Sequence, residues 1–236
     1  MDKQRALISR VSADVAAHLG NKEWARMLMA STGRAITPRA NQPVYDEQVR
    51  EVYLVIDCSN SMSHKDKMLQ ARKGAWRFAQ EARARGYLVG LISFASEAIH
   101  RFEPTESQET IAAGLAHMKA GRGSTNMAHA IQLAREQLAE EHGERVICLV
   151  TDGQPDNDNA ALAQAVQAKR LGIELMTIGT DDADKAFLEQ LASRHELSAK
   201  VVSHELEQGI ASMARMLPML PAPKRIATAA PQLPRL

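Results

Sequence analysis

The chain has 236 residues, of which 45% are hydrophobic and 24% are charged, as in an ordinary soluble protein with one sizeable domain and short extensions. The net charge of +1 and the aromatic content of 4% argue against nucleic-acid binding, which calls for a basic patch or stacking side chains. No apolar run reaches the roughly 18 residues that span a bilayer, and the start, Met1–Arg5, is polar. We therefore expect a cytoplasmic protein that binds neither nucleic acid nor a membrane.

The two ends of the chain differ in composition from its middle. Residues 1–45 combine a helical apolar pattern with a linker that contains glycine and proline, and we interpret them as an N-terminal helical extension. Residues 218–236 hold five prolines and three basic residues without an acidic one, which predicts a disordered basic tail. Residues 46–217 remain as the folded domain.

Short apolar runs alternate with longer amphipathic stretches inside this domain. The nearly continuous apolar runs at 52–58, 87–94, 145–151 and 173–179 predict strands that are buried on both faces. A weaker run at 197–202 predicts a further parallel strand. Residues 98–102 alternate in polarity and follow a very short turn, which predicts an antiparallel edge strand in a hairpin.

The stretches between these runs carry apolar residues at helical spacing. The first, expected to open with a capping box at Ser63 and Asp66, has one apolar side formed by Met68, Ala71, Ala75, Phe78 and Ala82. The same spacing recurs from Met127 to Leu138 and from Leu206 to Leu217. Alternation of this kind predicts an α/β fold with a doubly wound, mostly parallel sheet, one antiparallel edge strand and helices on both faces.

Two cysteines, Cys58 and Cys148, lie inside predicted strands. Their setting predicts buried, unpaired thiols and not a disulfide or a zinc site, since no Cys-x-x-Cys or Cys/His spacing is present.

Three polar segments follow predicted strands or precede predicted helices. The first strand ends in Asp57-Cys58-Ser59-Asn60-Ser61, a loop at 121–126 precedes a helix, and the fourth buried strand ends in Thr151-Asp152-Gly153. In a doubly wound sheet these segments share the carboxyl edge, where ligands bind. Five side chains with oxygen atoms can therefore converge there: Asp57, Ser59, Ser61, Thr125 and Asp152.

The order and spacing of these segments resemble the metal-ion-dependent adhesion site (MIDAS) of the von Willebrand factor A family, including its intracellular bacterial members. The resemblance implies that Ser59, Ser61 and Thr125 coordinate a divalent cation directly. It implies that Asp57 and Asp152 contact the cation directly or through water. It also implies a binding module and not an enzyme, with a protein partner that in bacterial members is often a ring-forming AAA+ ATPase of the MoxR or chelatase type.

The residue types also suit such a site on chemical grounds. Magnesium prefers six oxygen ligands at roughly 2.0–2.1 Å and usually retains several waters, and manganese is a possible substitute. Hydroxyl ligands add no charge, so a site with only two carboxylates leaves the ion able to attract an aspartate or glutamate from a partner protein.

Two other functions stay open at this stage. A metal-dependent phosphohydrolase could use Asp57 as a nucleophile, although no acid follows two residues later and no lysine lies at a predicted strand end. A scaffold protein with a non-functional metal site is the second alternative. The glycine loop at 121–125 lacks the Gly-Lys-Ser/Thr ending of a P-loop.

Further acidic residues lie near the candidate site. Asp156 and Asp158 follow the Asp152 loop, and we expect them to form a solvated rim. Asp181, Asp182 and Asp184 lie just before a predicted helix, where we expect acids to be favoured by the helix dipole.

Overall fold

The computed structural model describes residues 49–121, 123–139, 143–181 and 183–218. The extension predicted at 1–45 and, apart from Pro218, the predicted tail at 218–236 lie outside these residues. In the described part of the chain, no helix combines the length and the apolar composition needed to cross a bilayer.

One sheet organises this part of the chain. Its strands are β1 (Arg50–Asp57), β2 (Leu88–Phe94), β3 (Ala98–Thr105), β4 (Glu144–Thr151), β5 (Glu174–Thr180) and β6 (Ser198–Val201). These bounds agree with the predicted strands to within two residues except at the end of β3. The strand order is β3-β2-β1-β4-β5-β6. β3 is antiparallel to β2, and every other pair of neighbours is parallel, which confirms the predicted mixed sheet.

The strand β3 continues three residues beyond its predicted end. This extension contains Pro104, and proline cannot donate a hydrogen bond to a neighbouring strand. β3 lies at the edge of the sheet, where one side needs no such donor, and Thr105 still pairs with Val89 of β2.

Helices cover both faces of the sheet, as predicted. They are α1 (Lys67–Ala84), α2 (Gln108–Ala116), α3 (Met127–Leu138), α4 (Asp158–Arg170), α5 (Lys185–Leu191) and α6 (Leu206–Met213). Alternate side chains of β1 point to opposite faces, with Leu54 in one buried apolar cluster and Val55 in the other. The first cluster includes residues of α1, α2 and α6, and the second includes residues of α3, α4 and α5.

The predicted capping box at the start of α1 is wrong. Residues Asn60–Ser63 form a short 3-10 helix, and the Ser63 hydroxyl donates to the Asn60 carbonyl oxygen at 2.6 Å. Lys65 and Asp66 then adopt left-handed backbone conformations, with φ of 52° and 56°. The helix therefore begins only at Lys67, and its first side chain is buried.

The winding of the sheet determines where a ligand site can form. The chain leaves β1 for β2 and β3 on one side and returns to β4 on the other side of β1. The carboxyl ends of β1 and β4 thus adjoin where the winding reverses, which is the usual position of ligand sites in open α/β sheets.

The helices α1 and α6 approach each other closely at Gly74. A Cβ atom at this position would lie 2.8 Å from the Glu207 carbonyl oxygen and 2.9 Å from the Cβ of Ile210. Both neighbours belong to α6, so only glycine allows the two helices to pack at this distance.

We predict that Gly74→Ala destabilises the protein, although alanine favours a helix intrinsically by about 1 kcal/mol. Overpacking of a buried contact costs about 1–3 kcal/mol, so we expect a net loss of about 1 kcal/mol in urea unfolding. The control is Lys73→Ala at an exposed position of the same helix, with an expected change below about 0.5 kcal/mol. A Gly74→Ala protein as stable as the wild type would contradict the close approach.

Candidate metal centre

The first element of the site is Asp57, the last residue of β1. Its side chain is fully buried, and both carboxylate oxygens accept hydrogen bonds. The Ser59 backbone N–H donates to Oδ1 at 2.8 Å, and the Thr151 hydroxyl donates to Oδ2 at 2.7 Å. The carboxylate is therefore fixed between the ends of β1 and β4.

A chain of hydroxyl groups joins this strand end to the second buried carboxylate, Asp152. The hydroxyl oxygens of Ser59 and Ser61 lie 3.0 Å apart, and the Ser61 hydroxyl donates to Asp152 Oδ1 at 2.7 Å. Asp152 is fully buried, whereas Ser61 is partly exposed. The structure thus brings together four of the five predicted residues, with Ser61 nearest to solvent.

The fifth predicted residue, Thr125, is held at the same edge through its backbone. Its N–H donates to Asp156 Oδ1 at 2.9 Å, and its carbonyl oxygen accepts from the Asp156 N–H at 3.0 Å. The loop before it is fixed by a 2.7 Å hydrogen bond from the Gly121 N–H to the Cys58 carbonyl oxygen. Asp156 is exposed, as predicted, but it also positions the Thr125 loop, a role that we did not predict.

Burial dominates the acid–base behaviour of Asp57. Desolvation raises its pKa from 3.8 to about 6, against the lowering effect of the hydrogen bonds from Ser59 and Thr151. The negative charge of Asp152 is a smaller contribution to this pKa and acts in the same direction as desolvation. The metal-free site therefore holds an ionised carboxylate at neutral pH at an energetic cost.

Lys67 is a cation at this site that we did not predict from the sequence. Its ammonium group lies 2.6 Å from Asp152 Oδ2 and 2.9 Å from Asp181 Oδ2, and its side chain is only 5% exposed. Desolvation lowers the pKa of Lys67, but the hydrogen bonds to the two aspartates outweigh this effect and raise it. Lys67 is therefore a charged, buried partner of Asp152.

The reason for this omission is local. The capping box predicted at Ser63 places Lys67 within the first turn of a helix, where a lysine is ordinarily solvated. The two left-handed residues Lys65 and Asp66 shift the start of the helix and turn Lys67 inward. A polar stretch with no proline or glycine gives little sign of such a shift. We also expected no lysine near a strand end, because none lies at one in the sequence. In the folded chain Lys67 contacts Asp152, directly after the end of β4.

The acidic run before α5 divides into different roles. Asp184 caps the helix as expected, because its side chain accepts from the N–H groups of Ala186 and Phe187. Asp181 instead has a left-handed backbone conformation, pairs with Lys67 and accepts a hydrogen bond from the Ser203 hydroxyl. The hydrogen bonds from Lys67 and Ser203 lower the pKa of Asp181 to about 2. Asp182 lies outside the described residues.

The donor set at this edge fits a hard divalent cation. It consists of serine and threonine hydroxyls with two carboxylates, which are the oxygen ligands that magnesium and manganese prefer. In the described ranges, no three histidine, cysteine, aspartate or glutamate side chains are grouped closely enough to hold a metal without other ligands.

The two cysteines lie apart from this chemistry. Cys58 and Cys148 are free and buried, as predicted, and burial raises the pKa of each thiol to about 12.

Comparison with known families matches the chain to one family. The profile described as von Willebrand factor type A domain matches residues 51–211, which include every residue of the candidate site. No curated protein matches the chain.

Two solved structures with the same fold come from pilus proteins. The pilus adhesin SpaC from Lactobacillus rhamnosus GG is 16% identical over 72% of this chain and 31% of its own, with a TM-score of 0.63. The type V pili tip protein Mfa5 from Porphyromonas gingivalis is 14% identical over 72% of this chain and 95% of the solved domain, with a TM-score of 0.63.

A third structure comes from the mussel byssus. Proximal thread matrix protein 1, described with a zinc-occupied MIDAS motif, is 19% identical over 71% of this chain and 46% of its own, with a TM-score of 0.59. This chain thus spans less than half of that protein and of SpaC. At such identities the likeness shows the fold.

We predict that Asp57→Asn stabilises the metal-free protein at pH 7.5. The folded-state pKa of about 6 exceeds the ordinary aspartate value of 3.8, so the ionised carboxylate lowers the free energy of unfolding above pH 6. This penalty disappears as the pH falls towards 4, because the folded state then binds the proton more tightly than the unfolded state. A difference of about two pKa units corresponds to roughly 3 kcal/mol, of which altered hydrogen bonds to the amide will offset a part.

The measurement is urea unfolding in EDTA at pH 7.5 and at pH 5. We expect Asp57→Asn to gain on the order of 1–2 kcal/mol at pH 7.5 and less at pH 5. Asp158→Asn, an exposed acid of the same edge, serves as the control and should change stability by less than about 0.5 kcal/mol. A loss of stability in Asp57→Asn at pH 7.5 would show that the ionised Asp57 carboxylate does not lower the free energy of unfolding.

Proposed function

We propose, from the premise that this chain belongs to the von Willebrand factor type A domain family, that it is a metal-dependent protein-interaction module. In this proposal Ser59, Ser61 and Thr125 hold a magnesium or manganese ion, while Asp57 and Asp152 contact it directly or through water. A partner protein supplies an aspartate or glutamate to the ion.

The observation that carries this proposal is the hydrogen-bonded chain from Asp57 to the Ser59 backbone N–H, and from the Ser59 hydroxyl through the Ser61 hydroxyl to Asp152. Two fully buried carboxylates on adjacent strands lie at the two ends of this chain. Burial of two such charges is costly unless a cation or hydrogen bonds compensate them. Their arrangement around small hydroxyl groups is what a hard cation requires.

The hydroxyl ligands and the hydrogen bonds to Asp57 determine how this site could bind a cation and a partner carboxylate. A bound divalent cation supplies a coordination position for an outside carboxylate. The hydroxyls of Ser59 and Ser61 are neutral, so they provide oxygen without reducing the positive charge. The two hydrogen bonds from the Ser59 N–H and the Thr151 hydroxyl hold Asp57 in one orientation. Ser61 is partly exposed, which leaves the hydroxyl side of the site open to a partner.

The proposal also includes the preferred metal, the kind of partner and the cellular location. The family, the pilus proteins of similar fold and the byssal protein with a zinc-occupied site support metal-dependent binding. The preference for magnesium or manganese rests on the oxygen donor set. An AAA+ ATPase as the partner and a cytoplasmic location remain predictions, and the two free cysteines are compatible with the latter.

The metal site is tested first with manganese alone. We expect the wild type to bind one Mn²⁺ ion in calorimetry or electron paramagnetic resonance. Thr125→Ala should weaken this binding by about tenfold or more, because it removes a neutral ligand while the carboxylates remain. The matched control is Ser124→Ala, which removes the neighbouring exposed hydroxyl that contacts Ser96 and should leave affinity unchanged. Equal affinities in all three proteins would place the metal elsewhere.

Capture of a partner is tested next, by affinity purification from lysate in Mg²⁺ and in EDTA. Proteins retained only in Mg²⁺ are then purified and titrated against the same variants. Loss of a central interface contact commonly costs about 2 kcal/mol, or roughly thirtyfold in affinity, and we expect this loss in Thr125→Ala but not in Ser124→Ala. Partner affinity that survives both EDTA and Thr125→Ala within about twofold would reject the proposal. Turnover of p-nitrophenyl phosphate that disappears in Asp57→Ala would favour the phosphohydrolase instead.

A further inference from the structure

The carboxylate of Asp152 is shared between two different groups. Its Oδ1 accepts from the Ser61 hydroxyl at 2.7 Å, and its Oδ2 lies 2.6 Å from the Lys67 ammonium group. Ser61 belongs to the proposed metal site, whereas Lys67 begins α1 and lies on the other side of the carboxylate. A fixed positive charge thus contacts a residue that the proposed function assigns to the metal.

The position of Lys67 is built by more than one contact. Its ammonium group also lies 2.9 Å from Asp181 Oδ2, and Asp181 is held by the Ser203 hydroxyl. The side chains of Lys67 and Asp152 are 5% and 0% exposed. Lys65, in contrast, is 70% exposed and touches only Asp181 of this pair of acids, at 3.6 Å. Lys67 is therefore the ordered cation here, and Lys65 is a surface charge.

We propose that Lys67 is a built-in counter-cation that competes with the divalent metal for Asp152, so that the site binds metal weakly unless an anionic ligand joins it. This inference rests on the proposed function. It adds a residue outside the five oxygen-bearing side chains, and it assigns to that residue control over how tightly the metal is held.

The physical argument concerns like charges in a poorly solvated place. Two positive charges a few ångströms apart repel strongly when water is excluded, and the repulsion is far larger than at a solvated surface. A metal that approaches Asp152 must therefore either share this carboxylate with Lys67 or displace it. Both routes lower the affinity for the metal alone, and an added external carboxylate offsets the excess positive charge.

Asp181 moderates this competition. It takes part of the hydrogen bonding of Lys67 and supplies a second negative charge to the ammonium group. Without Asp181, Asp152 is the one acid left in contact with Lys67 among the residues that the structure describes. Because Lys67 is shared between the two acids, Asp181 reduces the interaction of its charge with Asp152. Removal of Asp181 should therefore weaken metal binding further.

The test is a Mn²⁺ titration of the full chain, without any partner, by calorimetry and electron paramagnetic resonance. Lys67→Gln removes the charge but retains a hydrogen-bond donor for Asp152, and we expect it to bind Mn²⁺ at least about tenfold more tightly than the wild type. Lys67→Arg keeps the charge and should stay within about threefold of the wild type. Lys65→Gln, the matched surface control, should do the same.

A thermal-shift measurement on the same samples distinguishes a change in metal binding from a folding defect. Mn²⁺ should raise the Tm of Lys67→Gln more than that of the wild type, because tighter binding to the folded state stabilises it more. Asp181→Asn provides a second variant that keeps Lys67, and it should bind Mn²⁺ at least about threefold more weakly than the wild type.

Each remaining outcome has a definite reading. If the wild type binds Mn²⁺ and Lys67→Gln binds it equally or more weakly, the counter-cation role is wrong while the proposed function survives. If Asp181→Asn binds as tightly as the wild type or more so, the competition is likewise refuted. If neither the wild type nor Lys67→Gln binds Mn²⁺, both the proposed function and this inference fall.

Discussion

Two fully buried carboxylates at the ends of adjacent parallel strands are the constraint around which the site is built. Asp57 and Asp152 carry like charges out of water at the point where the winding of the sheet reverses. Such charges persist only where hydrogen bonds or cations compensate them. Backbone and hydroxyl donors compensate Asp57, whereas Asp152 has the Ser61 hydroxyl and the Lys67 ammonium group. A protein selected for stability alone has little reason to keep this pair, so the arrangement points to binding.

The same contacts connect the site to more distant elements. Lys67 is the first residue of α1, and its second partner, Asp181, follows β5 and accepts from Ser203, which lies just before α6. α1 and α6 also meet directly at Gly74, where no larger side chain fits between them. A change at Asp152 therefore has a short route through ordered polar contacts to α6. Such a route is a spatial connection, and coupling along it would require two alternative states of the helix.

Periodicity made most of the fold predictable, and the polar strand ends indicated the edge where Asp57, Ser59, Ser61 and Asp152 come together. Continuous apolar runs indicated strands buried on both faces, and three polar segments indicated one shared edge, because these signals depend on local sequence. Lys67 was not predictable in this way, since its inward orientation depends on two left-handed residues before it. The same holds for Asp181 and Asp156, whose partners lie 114 and 31 positions away in the chain.

The proposed function requires that the hydroxyl and carboxylate cluster at the ends of β1 and β4 holds a divalent cation. The most direct measurement is a crystal structure of the full chain grown with Mn²⁺, with data collected at a wavelength where manganese scatters anomalously. We expect one strong anomalous peak roughly 2.0–2.1 Å from the hydroxyl oxygens of Ser59 and Ser61, the distance typical of Mg²⁺. A well-ordered cluster without such a peak, or a peak bound only by other residues, would contradict it.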